Sequence, residues 1–265
     1  MYTFNYHKAA SGQSAATLAG GKADAKYLAG GQSLLATMKL RLAQPSDLID
    51  LGGAGELKGI RVEGDKVVIG AMTTHADVAV DALVKSKFPA LAVVAEGIGD
   101  RQVRNRGTIG GSLANNDPAA DWPAALLGSG ATVVTNKRSI AADDFFKGMY
   151  ETALEPGELI TAVQFPIPRK AAYMKFKQPA SRFALVGVFV SQSATGVRVA
   201  VTGASQSGVT RIKAMEDALA KSWSADAIKG IRVDAGDMNT DLHASAVYRA
   251  HLVGVMAARA VAAAQ

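Results

Sequence analysis

The sequence predicts an α+β protein, in which a two-lobed α/β domain is followed by a smaller C-terminal domain with an antiparallel sheet and helices. Its 265 residues are enough for two domains. Short strands and helices alternate in the first part of the chain. In the last part strands come first and helices follow, which is typical of an α+β domain. The segment Pro-Ile-Pro at 166–168 separates the two parts. We therefore predict a first domain over 1–168, with lobes at about 1–55 and 56–168, and a second domain over 169–265.

The first lobe is predicted to contain three strands and two helices. The expected elements are an edge strand at 1–6, a helix at 11–20, a strand at 26–29, a helix at 33–42 that closes before Pro45, and a strand at 48–51. The spacing of apolar residues gives the second helix one buried face, formed by Leu34, Leu35, Met38 and Leu42.

The second lobe begins with a predicted hairpin, and the C-terminal domain begins with three predicted strands. In the second lobe we expect strands at 59–62, 66–70, 131–135 and 156–165, and helices at 76–85, 89–99 and 122–127. Thr74 followed by Asp77 has the pattern of a helix N-cap. In the C-terminal domain we expect strands at 173–177, 184–192 and 196–202, and helices at 213–222, 225–230 and 245–263. The last helix would pack one apolar face into the core, formed by Val247, Leu252, Val255, Met256 and Ala260.

The composition argues against several functional classes. The chain has no cysteine, which excludes disulfides, thiol catalysis and cysteine-ligated iron–sulfur clusters within it. Its four histidines lack metal-ligand spacing, so we expect no metal site. The net charge is +6, but the basic residues are scattered and aromatics are only 6%, so we expect no nucleic-acid binding. No segment is apolar enough to span a membrane and the N-terminus does not resemble a signal peptide, so we expect a cytoplasmic protein.

Two glycine-rich loops carry the functional signal. The first, Ala-Gly-Gly-Gln-Ser at 29–33, follows a strand and opens a helix, which is the arrangement that binds phosphate. The second, Thr-Ile-Gly-Gly-Ser at 108–112, leads on to Asp121. Glycine pairs permit positive φ and a close approach of the ligand, and unpaired N–H groups in such turns bind anions. The two loops predict two clamps on one diphosphate-containing ligand. The alternative is that each loop is only a tight turn.

The usual nucleotide-binding signatures do not occur in the sequence. There is no Gly-Lys-Ser/Thr, as in P-loop NTPases, and no Gly-x-Gly-x-x-Gly after a strand. From the residues alone we therefore expect an anionic ligand of dinucleotide size, held by backbone amides in an uncommon fold. The chemistry of that ligand stays open at this point.

Several longer motifs indicate which protein family the chain resembles. They are the first loop with its following Leu-Leu, the segment Met-Lys-Leu-Arg-Leu at 38–42, the segment Arg-Asn-Arg-Gly-Thr-Ile-Gly-Gly-Ser at 104–112, and Asp-Pro-Ala-Ala-Asp at 117–121. Together they resemble the FAD-binding medium subunit of molybdenum hydroxylases, the family of xanthine dehydrogenase and aerobic carbon monoxide dehydrogenase. The resemblance covers essentially the full length, including the segment 156–160 and Tyr248-Arg249.

This resemblance implies that FAD is held between the two domains. The pyrophosphate would be cradled by the two loops, that is, by Ala29, Gly30, Gly31, Gln32, Ser33, Leu34, Thr108, Ile109, Gly110, Gly111 and Ser112. The ribityl chain and ring would be approached by Asn115 and Asp121 and, from the C-terminal domain, by Tyr173, Lys175 and Lys177. Because no attachment histidine is found, we expect non-covalent FAD. No residue is expected to be catalytic, since the flavin ring carries out the redox chemistry.

The resemblance also implies a function and partners. Electrons would pass from iron–sulfur clusters on a partner subunit through FAD to an external acceptor. The partners would be a large subunit with the molybdenum cofactor and a small subunit with two 2Fe-2S clusters, assembled as a dimer of heterotrimers. The basic residues Arg101, Arg104 and Arg106 are a candidate contact for the small subunit. One alternative is a self-contained FAD-dependent reductase of related fold, and another is a non-enzymatic protein with a degenerate nucleotide site.

Overall fold

A computed structural model describes residues 1–264, and its first lobe is built on a three-stranded parallel sheet. The elements of this lobe are β1 (Asn5–Lys8), α1 (Gly12–Ala19), β2 (Lys26–Leu28), α2 (Leu34–Lys39) and β3 (Asp47–Asp50), followed by a 3₁₀ turn at Gly55–Leu57. The strand order is β1-β3-β2, with β3 parallel to both neighbours. Parallel neighbours need crossover connections, which the two helices provide. A small core that includes Ala9, Ala15, Ile49 and Leu51 lies in this lobe, and Met72 and Leu159 of the second lobe complete it.

The first lobe differs from the sequence prediction in two details. Helix α2 ends at Lys39, and Leu42, which was expected on its apolar face, is 76% exposed. The reason is Arg41, whose φ of 61° is left-handed and cannot continue a helix. The strand expected at 1–6 instead occupies Asn5–Lys8.

The second lobe contains a five-stranded antiparallel sheet with helices. Its strands are β4 (Ile60–Glu63), β5 (Lys66–Gly70), β6 (Thr132–Thr135), β7 (Ser139–Ala141), β8 (Phe146–Gly148), β9 (Glu151–Thr152) and β10 (Ile160–Pro166). Its helices are α3 (His75–Val80), α4 (Ala82–Lys87), α5 (Pro89–Glu96), α6 (Arg101–Arg104), α7 (Ile109–Asn115), α8 (Trp122–Ser129) and α9 (Ala142–Phe145). The sheet order is β4-β5-β10-β6-β7, and β8 and β9 form a separate ribbon.

The second lobe begins with the hairpin that the sequence predicted, within an antiparallel sheet. Strands β4 and β5 are joined by the short turn Gly64-Asp65, and only antiparallel strands can be connected in this way. The predicted N-cap is confirmed, because Thr74 and Asp77 form a reciprocal capping box at the start of α3. The helix expected at 76–85 is two helices, since Asp81 leaves helical geometry and caps α4 through Val84 N–H.

The C-terminal part of the chain contains four antiparallel strands and three helices, as predicted in kind. They are β11 (Lys170–Lys177), β12 (Ala184–Ser193), β13 (Gly196–Ser205), β14 (Gly208–Arg211), α10 (Lys213–Lys221), α11 (Ala225–Ile228) and α12 (Ala246–Ala263). The strands pair in sequence order. Val247 is a correction, because it is 71% exposed rather than packed. Leu252, Met256 and Ala260 are buried as expected, and Val253 and Ala257 complete the buried face of α12.

The C-terminal sheet packs on both faces. One face forms a core with α10, α11 and α12. The other face shares a continuous core with the second lobe, where Phe88 contacts both Phe165 and Phe189 edge-on at centroid distances of 6.4 Å and 6.1 Å. Because of this shared core, the second lobe and the C-terminal sheet pack directly against each other. Within residues 1–264, no helix is long and apolar enough to cross a membrane.

Candidate functional site

A cavity of about 820 Å³ lies where the first lobe, the second lobe and the C-terminal sheet meet. Its volume is near the upper end of the range usual for ligand sites, as a dinucleotide would require. The first lobe contributes the loop at 29–33, the second lobe contributes the loop at 107–112, and the C-terminal part contributes Lys175 and the loop at 180–183. The two glycine-rich loops therefore line one cavity, although they are far apart in sequence.

The first loop forms an anion-binding concavity. Gly31 has a φ of 74°, which turns the backbone sharply, and a side chain at this position would be strained. Within residues 1–264, no acceptor is hydrogen-bonded to the consecutive backbone N–H groups of Gly30, Gly31, Gln32, Ser33 and Leu34. Successive unpaired N–H groups in such a turn make a concavity that suits a phosphate.

The second loop is different, because the backbone N–H groups of residues 109–112 are already used. Ile109 N–H donates to Thr73 O and Gly110 N–H donates to Ala71 O. Thr108 is the N-cap of α7, so its Oγ1 accepts from Gly111 N–H at 3.1 Å and its carbonyl oxygen accepts from Ser112 N–H. The prediction of unpaired N–H groups is therefore wrong for this loop. The second loop instead lines the cavity as the packed start of helix α7.

The glycines of the second loop have helical rather than left-handed backbone. The expectation that they are needed for a positive φ is therefore wrong. A Cβ on Gly110 would lie 2.6 Å from the Cβ of Ala71, and a Cβ on Gly111 would lie 2.9 Å from Thr108 Oγ1. These positions need glycine because other protein atoms come close, so that α7 can seat against β5 and the first loop.

A buried ion pair forms the wall on the C-terminal side. Asp121, at the start of α8, accepts hydrogen bonds from Tyr173 Oη and from Lys175 Nζ, the latter at 2.8 Å. Lys175 Nζ also donates to Gly97 O at 3.0 Å, which leaves one of its three N–H groups for a ligand. Burial raises the pKa of Asp121, and the Lys175 ammonium and the Tyr173 hydroxyl oppose that rise. Burial and Asp121 raise the pKa of Tyr173 well above its usual range, so the phenol stays a donor.

His75 is in contact with the start of the second loop. Its Nδ1 accepts from Trp122 Nε1 at 3.0 Å, and its backbone N–H donates to Gly107 O. Burial, assisted by the charge of Arg104, lowers the pKa of His75 to about 4, so the ring is neutral at pH 7. These contacts give His75 a packing role.

The predicted site residues line the cavity with three exceptions, Ile109, Tyr173 and Lys177. Ile109 is fully buried in the core, and Tyr173 reaches the site only through Asp121. Lys177 is exposed near the end of β11. Neither catalysis nor metal binding was predicted. Within residues 1–264, no group of three or more His, Asp or Glu side chains could hold a metal ion.

Several lining residues were not predicted from sequence. They come from three separate segments: Ile98, Gly99 and Asp100 before α6, Leu154 and Leu159 before β10, and Arg182 and Phe183 before β12. Two of these segments contain a residue with left-handed backbone, Gly99 at a φ of 45° and Arg182 at a φ of 61°. No motif in the sequence marks the apolar residues, because they become neighbours only after folding.

Comparisons with known proteins identify the family. Residues 2–168 match the family described as the FAD binding domain in molybdopterin dehydrogenase. The chain is 38% identical to the carbon monoxide dehydrogenase medium chain of Hydrogenophaga pseudoflava, covering 98% of this chain and 96% of that protein. This chain belongs to the FAD-binding subunits of molybdenum hydroxylases.

Other relatives agree with this membership. The chain is 37% identical to the nicotine 6-hydroxylase medium subunit of Paenarthrobacter nicotinovorans, covering 97% of this chain and 95% of that protein. The fold matches a chain of reconstituted CO dehydrogenase from Oligotropha carboxidovorans with a TM-score of 0.90 and 34% identity, covering 98% of this chain and 97% of that chain. The family resemblance, the fold class, FAD as the cofactor and the role of an electron-transferring oxidoreductase subunit are therefore confirmed.

The residues present fit a flavin dinucleotide. The first loop offers adjacent backbone donors to an anionic group. A Cβ on Gly30 would meet the Arg106 carbonyl of the second lobe, and a Cβ on Gly31 would meet the Leu35 side chain. The rest of the cavity has apolar walls, as a ring system requires, and these include Leu51, Met72, Ile98, Val103 and Leu159.

Proposed function

We propose that the subunit holds FAD non-covalently in the cavity at the junction of the three parts, with the pyrophosphate on the loop at 29–33. The observation that carries this proposal is the run of unpaired N–H groups from Gly30 to Leu34. Ser33 and Thr108 stand at the two helix starts beside that anion. The second loop contributes shape and support, with Ser112 and Asn115 along the cavity wall.

When bound, FAD supplies the redox chemistry, and the residues of this chain position and shield it. The Asp121–Lys175 pair sets the electrostatics of the wall on the C-terminal side. Because the ammonium is matched by the carboxylate, the pair can direct one N–H toward the ligand without leaving a net charge buried. His75 stays neutral at pH 7, so it adds no further positive charge to the wall.

The partner subunits are inferred from chemistry and from family membership. This chain has no cysteine, and iron–sulfur clusters are held by cysteine thiolates, so electrons would reach FAD from clusters on another chain. We propose a small subunit with two 2Fe-2S clusters and a large subunit with the molybdenum cofactor, in a cytoplasmic dimer of heterotrimers. Of the basic residues suggested as a contact, Arg101 and Arg106 are exposed, whereas Arg104 donates to Ile98 O at 2.9 Å and has a structural role.

Flavin release and rapid kinetics test this proposal. The purified full-length chain should carry one FAD per copy, and acid precipitation should release it into the supernatant. Substrate of the native complex should bleach the flavin only after the other subunits are added, whereas dithionite should bleach it in the isolated chain. Colour that stays with the acid pellet would contradict non-covalent binding. Bleaching by substrate in the isolated chain would show a self-contained reductase.

A further inference from the structure

The turn that joins strands β8 and β9 lies at the wall of the cavity proposed for FAD. Among residues 1–264, these two strands pair only with each other. A lone two-stranded ribbon is marginally stable in water, so its position depends on contacts from other elements. Tyr150, the second residue of the Met-Tyr turn, lines the cavity and is 62% exposed. The ribbon therefore carries an aromatic ring to the cavity, and a contact from another element must hold it there.

The backbone of Tyr150 is strained. Its φ of 58° lies in the left-handed region, where glycine and asparagine are usual and a bulky residue is an outlier. Strain of this kind persists only where the surrounding structure over-determines it, and it clusters at ligand clamps. A glycine would form the same turn without strain. The turn alone therefore gives no reason for a tyrosine, and the reason must lie in what the ring contacts.

Asn116 supplies the contact that holds this turn. Its side chain is buried, and its Nδ2 donates to Gly148 O at 2.7 Å and to Glu151 O at 2.9 Å, on either side of the turn. Its carbonyl oxygen accepts from Tyr150 N–H at 3.1 Å. Asn116 has a φ of 43°, which asparagine tolerates better than most residues with a side chain. Three hydrogen bonds to one residue thus fix both ends of the turn and the Tyr150 backbone.

Asn116 also ties the turn to the helix that begins at the second glycine-rich loop, because it is the C-cap of α7. At the other end of α7, a Cβ on Gly111 would lie 3.6 Å from Ala29 Cβ of the first loop. Five helical steps separate Gly111 from Asn116, a distance of about 8 Å. Tyr150 is therefore anchored at the opposite end of α7 from the loop proposed for the pyrophosphate, which is the end left for the flavin ring.

The Tyr150 ring suits contact with a planar ring system. Burial, assisted by the Asp117 carboxylate, raises the pKa of Tyr150, so the phenol keeps its proton and the ring is uncharged at pH 7. The apolar side chain of Leu154 lines the same cavity. An uncharged, exposed aromatic ring gains most by packing against another ring.

We propose that Asn116 is a positioning residue for bound FAD, which acts through Tyr150 by holding that ring against the flavin. This inference rests on the proposed FAD site and adds to it a residue whose own side chain faces the ribbon. The Tyr150 ring would pack against the flavin ring and shield it from water, and Asn116 would set the place of the Tyr150 ring.

Flavin binding and flavin fluorescence of the full-length chain test the proposal. Tyr150→Leu removes the aromatic ring and should raise the Kd for FAD about tenfold, the scale of one lost aromatic contact. Because a tyrosine in contact with a flavin quenches its fluorescence by electron transfer to the excited ring, the fluorescence of each bound FAD should rise severalfold. Asn116→Gly permits the left-handed backbone but loses both side-chain hydrogen bonds, and it should produce the same two changes.

A double variant and a matched control separate positioning from general damage. If Asn116 acts through the ring, Tyr150→Leu combined with Asn116→Gly should bind FAD no more weakly than Tyr150→Leu alone. Met149→Ala is the matched control, since Met149 is the other residue of the turn, is 52% exposed and does not line this cavity. It should leave both the Kd and the fluorescence unchanged.

Two results would overturn the proposal. The first is a double variant whose loss of FAD affinity is the sum of the two single losses. The second is normal affinity and normal fluorescence in Tyr150→Leu, which changes an exposed ring and therefore decides the question even if Asn116→Gly does not fold. A wild-type chain that binds no FAD would instead overturn the proposed function.

Discussion

Gly30 lies directly against the backbone carbonyl of Arg106, so that a Cβ on Gly30 would overlap that oxygen. This contact joins the two glycine-rich loops, one from each lobe. It means that the geometry of the first loop depends on the segment leading into α7.

The first prediction concerns this contact. Gly30→Ala should push the first loop away from Arg106 and reduce bound FAD by at least about tenfold, since displaced backbone donors no longer converge on one anion. Flavin absorbance per protein after gel filtration measures the effect. Gly55→Ala is the matched control, because a Cβ there would meet no heavy atom within 4 Å. Full flavin content in Gly30→Ala would mean that the first loop does not hold the pyrophosphate.

The second prediction concerns the N-cap of α7. Thr108→Val keeps the shape of the side chain but removes the oxygen that accepts from Gly111 N–H. We expect a loss of about 1 kcal/mol in the free energy of unfolding. Thr108→Ser should retain most of the stability, because its hydroxyl can cap in the same way. Urea unfolding of the two variants gives the comparison, and equal losses would contradict a capping role.

The third prediction concerns the buried pair. Lys175→Met leaves the Asp121 carboxylate without its ammonium and should lower the free energy of unfolding at pH 7 by about 3–5 kcal/mol. The double variant Lys175→Met with Asp121→Asn should recover much of this loss, because the uncompensated charge is gone. If the double variant is less stable than Lys175→Met, the pair does not act as coupled charges.

The same variant should change the pH dependence of stability. Without Lys175, burial raises the pKa of Asp121 unopposed by the ammonium, so the folded state keeps a proton that the unfolded state has lost. Stability then falls as pH rises above the unfolded pKa. The urea midpoint of Lys175→Met should drop between pH 5 and pH 8 more than that of the wild type.

The fourth prediction concerns His75. Its pKa is about 4 in the folded protein against 6.5 for an unperturbed imidazole, so below pH 6.5 the unfolded state binds the proton more readily. The contribution of neutral His75 to the free energy of unfolding is complete above pH 6.5. It is lost as pH falls toward 4, by about 3 kcal/mol in total. His75→Gln can still accept from Trp122 but does not titrate. Urea unfolding at pH 7.5 and pH 4.5 should therefore show a smaller loss in His75→Gln, and an equal loss would assign the acid sensitivity to other groups.

Local sequence patterns predicted the elements whose signals are themselves local. The β4–β5 hairpin, the Thr74 cap and the strand that precedes the first loop are examples, because each depends on a few adjacent residues. Patterns failed where tertiary context decides. Leu42 fits a helical stripe but faces solvent, because a left-handed residue ends α2 early. Val247 also faces solvent, in the first turn of α12, although the stripe continues correctly into Leu252, Met256 and Ala260.

The candidate site, too, could be predicted only in part from the sequence. Both loops and Asp121 were visible as motifs, whereas Phe183 and Leu154 have no motif and join the cavity from distant segments. The hydrogen bonds that occupy the second loop were not visible either. They depend on Ala71 and Thr73, which approach only when β5 and α7 pack together.

The shared core between the second lobe and the C-terminal sheet has a consequence for dissecting the chain. A fragment that ends at residue 168 would keep Phe88 and Phe165 but would lose Phe189, which packs against Phe88. It would expose a broad aromatic surface to water and should aggregate or bind hydrophobic dyes. The prolines at 166–168 therefore mark a change of topology within a shared core, and a fragment that keeps this core must include β13, which contributes Ala200.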